Sequence, residues 1–297
     1  MALESFVLAH EPAIRLGCFF AVFAVVALWE WRAPRRALTL SRALRWSGNL
    51  GLVALNTMLL RLVFPLAAAG MAAFGVANGW GLLNHFEVPF WVAVPVAVIA
   101  MDFVIWLQHV MVHAVPALWR LHQVHHADLD YDLTTGARFH PIEIALSMLV
   151  KFATISVLGP PVLAVVIFEV LLNATAMFNH GNIRLPAALD RGLRWLIVTP
   201  DMHRVHHSVE DDETNTNFGF NLSIWDRMFG TYVAEQEEPV YGITTPLRSW
   251  NPVWANLQYW VTLGGHARRA ARPIDKLRLF LARPGWLPAD LGGYQAP

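Results

Sequence analysis

Residues 88–126 read VPFWVAVPVAVIAMDFVIWLQHVMVHAVPALWRLHQVHH. The stretch from about Val88 to Gln108 is apolar and close to the ~20 residues that a helix needs to cross a bilayer. It continues directly into histidines, which is why its reading decides the fold. His109 and His113 form H-x-x-x-H, and on a helix such i, i+4 side chains project from one face. Pro116 ends that helix. His122, His125 and His126 then form H-x-x-H-H, and His203, His206 and His207 repeat the pattern far along the chain. A helix that spans a membrane thus delivers imidazoles at its end.

Composition agrees. Of 297 residues, 56% are hydrophobic and 15% charged, against roughly 25% charged in an average soluble domain. Basic and acidic residues balance at 22 each, so bulk charge gives no reason to expect nucleic acid as a partner. Cys18 is the sole cysteine, which excludes an internal disulfide and a cysteine-ligated iron–sulfur cluster. Ten of the 13 histidines fall between His109 and His207.

Outward from the opening stretch, a first apolar run covers about Leu16 to Trp31, with Arg15 and Glu30 near its ends. It lacks the basic flank and cleavage site of a signal peptide and reads as a retained span. A second runs from about Trp46 to Val76. Beyond the histidines, the run from Ile142 to Phe178 is broken by Gly159-Pro160-Pro161, which predicts a hairpin of two membrane helices. Arg32, Arg35, Arg36, Arg42 and Arg45 crowd the first connection, whereas residues 76–88 carry no Lys or Arg. The positive-inside rule places that connection in the cytoplasm, and threading onward puts every histidine cluster on the same side. The expectation is an all-α integral membrane bundle of about four spans, a helical hairpin among them, under a cytoplasmic histidine-rich cap. Residues 1–87 would hold the N-terminal spans, 88–240 the catalytic domain and 241–297 a C-terminal interfacial tail. Asp211 to Asn217 reads as a surface loop. The aromatic-rich residues 252–263, followed by Arg268, Arg269 and Arg272, fit an interfacial segment or a core helix of the cap. Arg61, Lys151 and Glu169 lie in apolar surroundings, where they must pair or snorkel.

The three clusters offer eight imidazoles, too many for one ion and suited to two. Spacing leaves the metal open, because imidazole serves zinc, copper, iron and nickel alike. Structural zinc takes four ligands and catalytic zinc three plus water, fewer than are present.

The segments QHVMVH (108–113), LHQVHH (121–126), FNHGNIRLP (178–186), TPDMHRVHH (199–207) and NFGFNLSIWDRMFGTY (217–232) together resemble the sterol desaturase and fatty acid hydroxylase superfamily. The resemblance covers roughly residues 88–235. It implies a four-helix membrane base, two iron ions (zinc being possible in isolated protein) and O₂ as co-substrate in hydroxylation or desaturation of a membrane lipid. It assigns ligand roles to His109, His113, His122, His125, His126, His203, His206 and His207, with His180 as a further ligand. Some fatty acid hydroxylases of this group carry a second histidine near the position of His180; this chain has none. His140, in RFHPIE, resembles the FHP element of sterol desaturases and either lines the substrate entrance, bonds a ligand's second nitrogen or caps a helix before Pro141. Asp102, Asp201 and Asp226 are candidates for orienting a ligand's other nitrogen, as metal-bound imidazoles require.

The sequence contains no flavin fingerprint, haem domain or cysteine cluster, so a separate electron donor of cytochrome or ferredoxin type is implied. The Ala- and Arg-rich composition fits a bacterial inner membrane. A zinc-dependent membrane hydrolase and a metal transporter or sensor are the rival readings.

Overall fold

The computed structural model describes residues 2–234, 240, 241, 243, 251–282 and 286–293. The rest of the expected C-terminal tail, including 244–250, lies outside the described residues. The chain is helical, and no strand occurs among the described residues.

Helix α1 (Ala2–Arg32) leads to α2 (Arg42–Val63), α3 (Ala68–Ala77), the short α4 (Leu82–His85) and α5 (Phe90–Ala114). Then follow α6 (Pro116–His126), α7 (Pro141–Leu158), α8 (Val162–Asn179), α9 (Ala187–Leu193) and α10 (Pro200–His206). The short α11 (Asp211–Thr214) and α12 (Ile224–Met228) precede α13 (Pro252–Arg269) and α14 (Pro273–Leu281). Among the described residues, five segments are long and apolar enough to cross a membrane: α1, the stretch Arg42–His85, α5, α7 and α8. This is a multi-pass membrane protein.

Two expectations about the spans change. The first helix reaches back to Ala2 through Pro12, and the expected continuous run Trp46–Val76 breaks between Val63 and Ala68. Pro65 lacks the N–H that the helical ladder would need there. The expected hairpin is present: α7 closes on Gly159, whose φ of +66° is left-handed, and Pro160-Pro161 starts α8 one turn away. A Cβ at Gly159 would lie 2.2 Å from the carbonyl oxygen of Trp80, so glycine also permits the close approach of the preceding loop.

Helix α8 is the centre of the bundle, with α1 laid along it and α5 and α3 against its other faces. Their shared core joins Val7, Ala69, Ala72, Met101, Ile105, Ile155, Val165 and Phe168. The small side chains of α3 let backbones approach, which is how helices gain packing energy in lipid. Phe6, Phe20, Val25 and Trp91 point outward, as lipid-facing side chains should. Inside, Lys151 meets Glu169 at 2.6 Å and Arg15 meets the same carboxylate at 3.2 Å. These three do pair; Arg61 is exposed.

Above the bundle, short helices and loops form the cap. The segment 127–135, ADLDYDLTT, is buried apart from Leu129 and is held by charge from α2. The Arg45 guanidinium grips Asp128 at 2.7–2.8 Å and Asp132 at 2.6 Å, so this arginine is fully buried rather than a free charge of the first connection. Burial alone would raise the Asp128 carboxyl, but Arg45 holds it well below the usual carboxylate range. Glu30, expected at a span end, is also buried and accepts the backbone N–H groups of Leu133 and Asn182, both at 2.8 Å. The expected surface loop 211–217 is only partly one: Asn217 is buried at φ +49°. Its amide donates to the carbonyls of Met202 and Val233, which pins the loop under α10. Helix α13 packs on α2, α6 and α14, burying Ala255, Asn256 and Gln258 while Val253, Leu257 and Val261 face outward.

Candidate metal centre

The histidines arrive from four places. Helix α5 carries His109 and His113 past the apolar run; Val115 interrupts, and Pro116 restarts the chain as α6 at its first helical position, where a missing N–H costs nothing. Helix α6 presents His122, His125 and His126. His180 closes the C-terminus of α8. Helix α10 starts at Pro200, capped by the Thr199 hydroxyl, which accepts from the Met202 N–H, and it supplies His203 and His206, with His207 next.

These nine side chains form two groups. His109, His113, His122, His126 and His206 compose one, and His125, His180, His203 and His207 the other; within each, the candidate ligand atoms lie within 4.8 Å of one another. Alternate histidines of one H-x-x-H-H motif go to different groups, because i+3 and i+4 fan to the two sides of a helix face.

Hydrogen bonding fixes which nitrogen faces inward. The Nδ1–H of His109 donates to the Phe218 carbonyl at 2.7 Å, that of His122 to Glu143 at 2.6 Å, and that of His206 to the Thr216 carbonyl at 2.8 Å. In the second group, His125 donates to the Arg138 carbonyl at 3.1 Å and His180 to the Ala176 carbonyl at 2.8 Å. Each ring therefore turns an unprotonated Nε2 inward. The Nε2 atoms of His109 and His122 face one another at 3.2 Å, as do those of His125 and His180. Two lone pairs at that distance repel unless a cation lies between them. Imidazole–metal bonds of about 2.0–2.1 Å put two nitrogens of one ion roughly 3.0–3.4 Å apart, so the spacing fits. His113, His126 and His203 have both ring nitrogens buried without a hydrogen-bond partner, and His206 has its Nε2 so. Buried polar atoms are rarely left that way. By donor chemistry and by orphaned atoms, the residues suit two metal ions.

Burial also favours the neutral form of six of these rings. It lowers His180 and His206 to about 3 and holds His125, His126, His203 and His207 well below the usual imidazole value, with neighbouring histidines adding to the effect. A neutral imidazole is the metal-binding form. Aromatic rings wall off water: Phe139 stacks on His125 at 4.5 Å, Trp119 lies 4.8 Å from His113, and Tyr131 stacks on His180 at 5.3 Å.

Four other candidates do not meet the centre. His140 caps α7, its Nδ1 accepting the Ile142 N–H at 3.1 Å. Asp201 binds Arg204 and Arg35. Asp102 accepts from the Trp225 indole at 2.8 Å and ties α5 to α12. Asp226 acts at one remove: it accepts from Trp106 and from the N–H groups of Phe218 and Gly219, holding the loop whose Phe218 carbonyl orients His109. The residue that sequence reasoning missed is Glu143. It lies three residues after His140 in RFHPIE, so the motif was visible; only the fold reveals that its glutamate reaches His122.

Residues 94–231 match the fatty acid hydroxylase family. The alkylglycerol monooxygenase of Xenopus tropicalis is 26% identical over 278 residues, 90% of this chain and 57% of its own length. Residues 94–231 are thus a domain of the kind found in the sterol desaturase and fatty acid hydroxylase superfamily. The human alkylglycerol monooxygenase is 28% identical over 65% of the chain and 42% of its own length. The ornithine lipid hydroxylase of Rhizobium tropici is 27% identical over 57% and 50%. The chain thus spans about half the length of these superfamily members. No solved structure matches it.

Proposed function

We propose that this protein hydroxylates a membrane lipid with O₂ at a di-iron centre held by His109, His113, His122, His126 and His206 on one ion and His125, His180, His203 and His207 on the other. The observation that carries the reading is the pair of inward-facing Nε2 contacts, His109 to His122 and His125 to His180, beside an apolar cavity. When bound, the two ions supply the redox chemistry that lets O₂ oxidise an unactivated C–H bond. The chain does the rest. Phe218, Glu143, Thr216, Arg138 and Ala176 hold the Nδ1 protons and so fix ring orientation. Phe139, Trp119 and Tyr131 exclude water from the centre. The cavity between α1, α2, α5, α7 and α8 is lined by His109 and His122, which supports an apolar substrate lying against the first group. The names of the relatives, hydroxylases and monooxygenases of lipids, favour insertion of oxygen over desaturation here.

Two external electrons must arrive for each turnover, from a separate cytochrome or ferredoxin-type donor. The arginine bias of residues 32–42 supports a cytoplasmic centre, and the composition supports a bacterial inner membrane. Comparative lipidomics of cells expressing wild type or His125→Ala tests the reading. A lipid one oxygen heavier, present only with wild type, is expected; identical lipidomes, or full turnover of a zinc-loaded enzyme without O₂, would overturn it.

A further inference from the structure

The cavity measures about 280 Å³ and runs from His109 and His122 to the Arg15, Lys151 and Glu169 cluster. Ile105, Val112, Phe139, Ile144, Met148 and Leu172 make its walls apolar. Its histidine end is not. Asn56, Gln108 and Glu143 all line it, and Asn56 Oδ1, Gln108 Oε1 and Glu143 Oε2 are buried oxygens with no hydrogen-bond partner among the described residues.

Each orientation has a cause. The Asn56 amide nitrogen donates to the Phe139 carbonyl at 2.9 Å, which commits the nitrogen and leaves the oxygen free. Glu143 spends Oε1 on His122 at 2.6 Å, leaving Oε2. Asn56 and Glu143 are only 6% and 5% exposed, so bulk water does not serve them. Among the described residues no N–H bonds these three oxygens: the Nδ1–H groups of His109 and His122 are spent on Phe218 and Glu143, and Arg15 and Lys151 are paired at the far end. The hydroxyls of Thr57 and Ser147 also line the cavity and can turn either way.

We propose that this end of the cavity is a subsite for a hydroxyl, or another O–H or N–H donor, carried by the substrate within a few bonds of the carbon to be oxidised. Asn56, Gln108 and Glu143 accept its hydrogen bonds. The proposal rests on the lipid-oxidising reading above and narrows it. The substrate is an amphiphile that enters with its polar end toward His109 and His122 and its chain along Ile105, Ile144 and Leu172. An unsubstituted mid-chain methylene would leave all three acceptors unpaired, and a site built to bond a donor rejects the analogue that lacks it.

The test is competition between 1-dodecanol and dodecyl methyl ether, matched in chain but differing in the donor, for the full chain held without O₂ or reductant. Bound adducts are read by native mass spectrometry. The wild type should favour the alcohol by about tenfold, the worth of a hydrogen bond made in a dry site. Asn56→Leu and Gln108→Leu should each cut that preference at least several-fold, and Gln108→Glu, which keeps an acceptor, should retain it. Equal occupancy by alcohol and ether, no adduct with either, or a preference that survives in both leucine variants would overturn the proposal. The wild-type competition needs no variant to fold. No turnover is read, so failure of lipid oxidation would leave the alcohol preference standing, and loss of the preference would leave lipid oxidation standing.

Discussion

Glu143 on α7 accepts the Nδ1–H of His122 on α6 at 2.6 Å. This one contact sets the tautomer of a proposed metal ligand and joins the membrane hairpin to the histidine helix. Removing such a partner costs 10–100-fold in metal affinity in comparable sites. Glu143→Ala should therefore weaken metal binding by about that factor, and Glu143→Gln, whose amide oxygen can still accept the hydrogen bond, by less. Metal titration of the purified variants checks the order.

Gly136 lies where α8 ends. A Cβ there would sit 2.5 Å from the Ala176 carbonyl oxygen and 2.9 Å from His180 Nδ1, so Gly136→Ala must push His180 away from His125 and His207. Overpacking of this kind costs about 1–3 kcal/mol. The expected outcome is loss of metal from the His125, His180, His203 and His207 group with retention in the other, read as one ion per chain by elemental analysis instead of two.

Arg45 grips both Asp128 and Asp132, and all three are buried. Arg45→Met leaves two carboxylates without their cation in the segment that follows His126. Breaking a buried pair by deleting one partner costs about 3–5 kcal/mol. The thermal midpoint should fall by several degrees, and a triple change that also replaces Asp128 and Asp132 with Asn should recover part of it.

His140 gives a pH dependence with a definite sign. Burial lowers its imidazole to about 4, against an opposing pull from Glu143, and the neutral ring accepts the Ile142 N–H. Between pH 6.5 and about 4 the unfolded chain binds a proton at this site that the folded chain does not. Stability from the cap is therefore complete above pH 6.5, declines as pH falls and stops declining below about 4. His140→Asn keeps a capping oxygen without a titrating group. Its midpoint should fall less steeply than that of the wild type over this range; parallel curves would contradict the assignment.

Much of this was legible in the sequence because periodicity and turn chemistry are local. Spacing of i, i+3 and i+4 placed His122, His125 and His126 on one helical face, and Gly159-Pro160-Pro161 marked the hairpin. The histidine clusters were visible for the same reason. How they divide between two groups was not, because that depends on where α10 and the end of α8 meet α6, a matter of packing across nearly the whole catalytic segment. Long-range polar contacts were equally hidden. Arg45 read as one more arginine of a basic connection, yet its partners lie 83 and 87 residues away. Asp102, Asp201 and Asp226 were nominated by nearness along the chain; the carboxylate that reaches a histidine is Glu143, brought there by the turn between α6 and α7.

The central claim is that O₂ supplies an oxygen atom to a lipid at this histidine centre. The most direct measurement is mass spectrometry of lipid products after incubating the iron-loaded protein, a reductant system and membrane lipid under ¹⁸O₂. A product heavier by one ¹⁸O atom, absent in His125→Ala, is predicted. A product whose added oxygen comes from water, or one formed equally without O₂, would contradict the account.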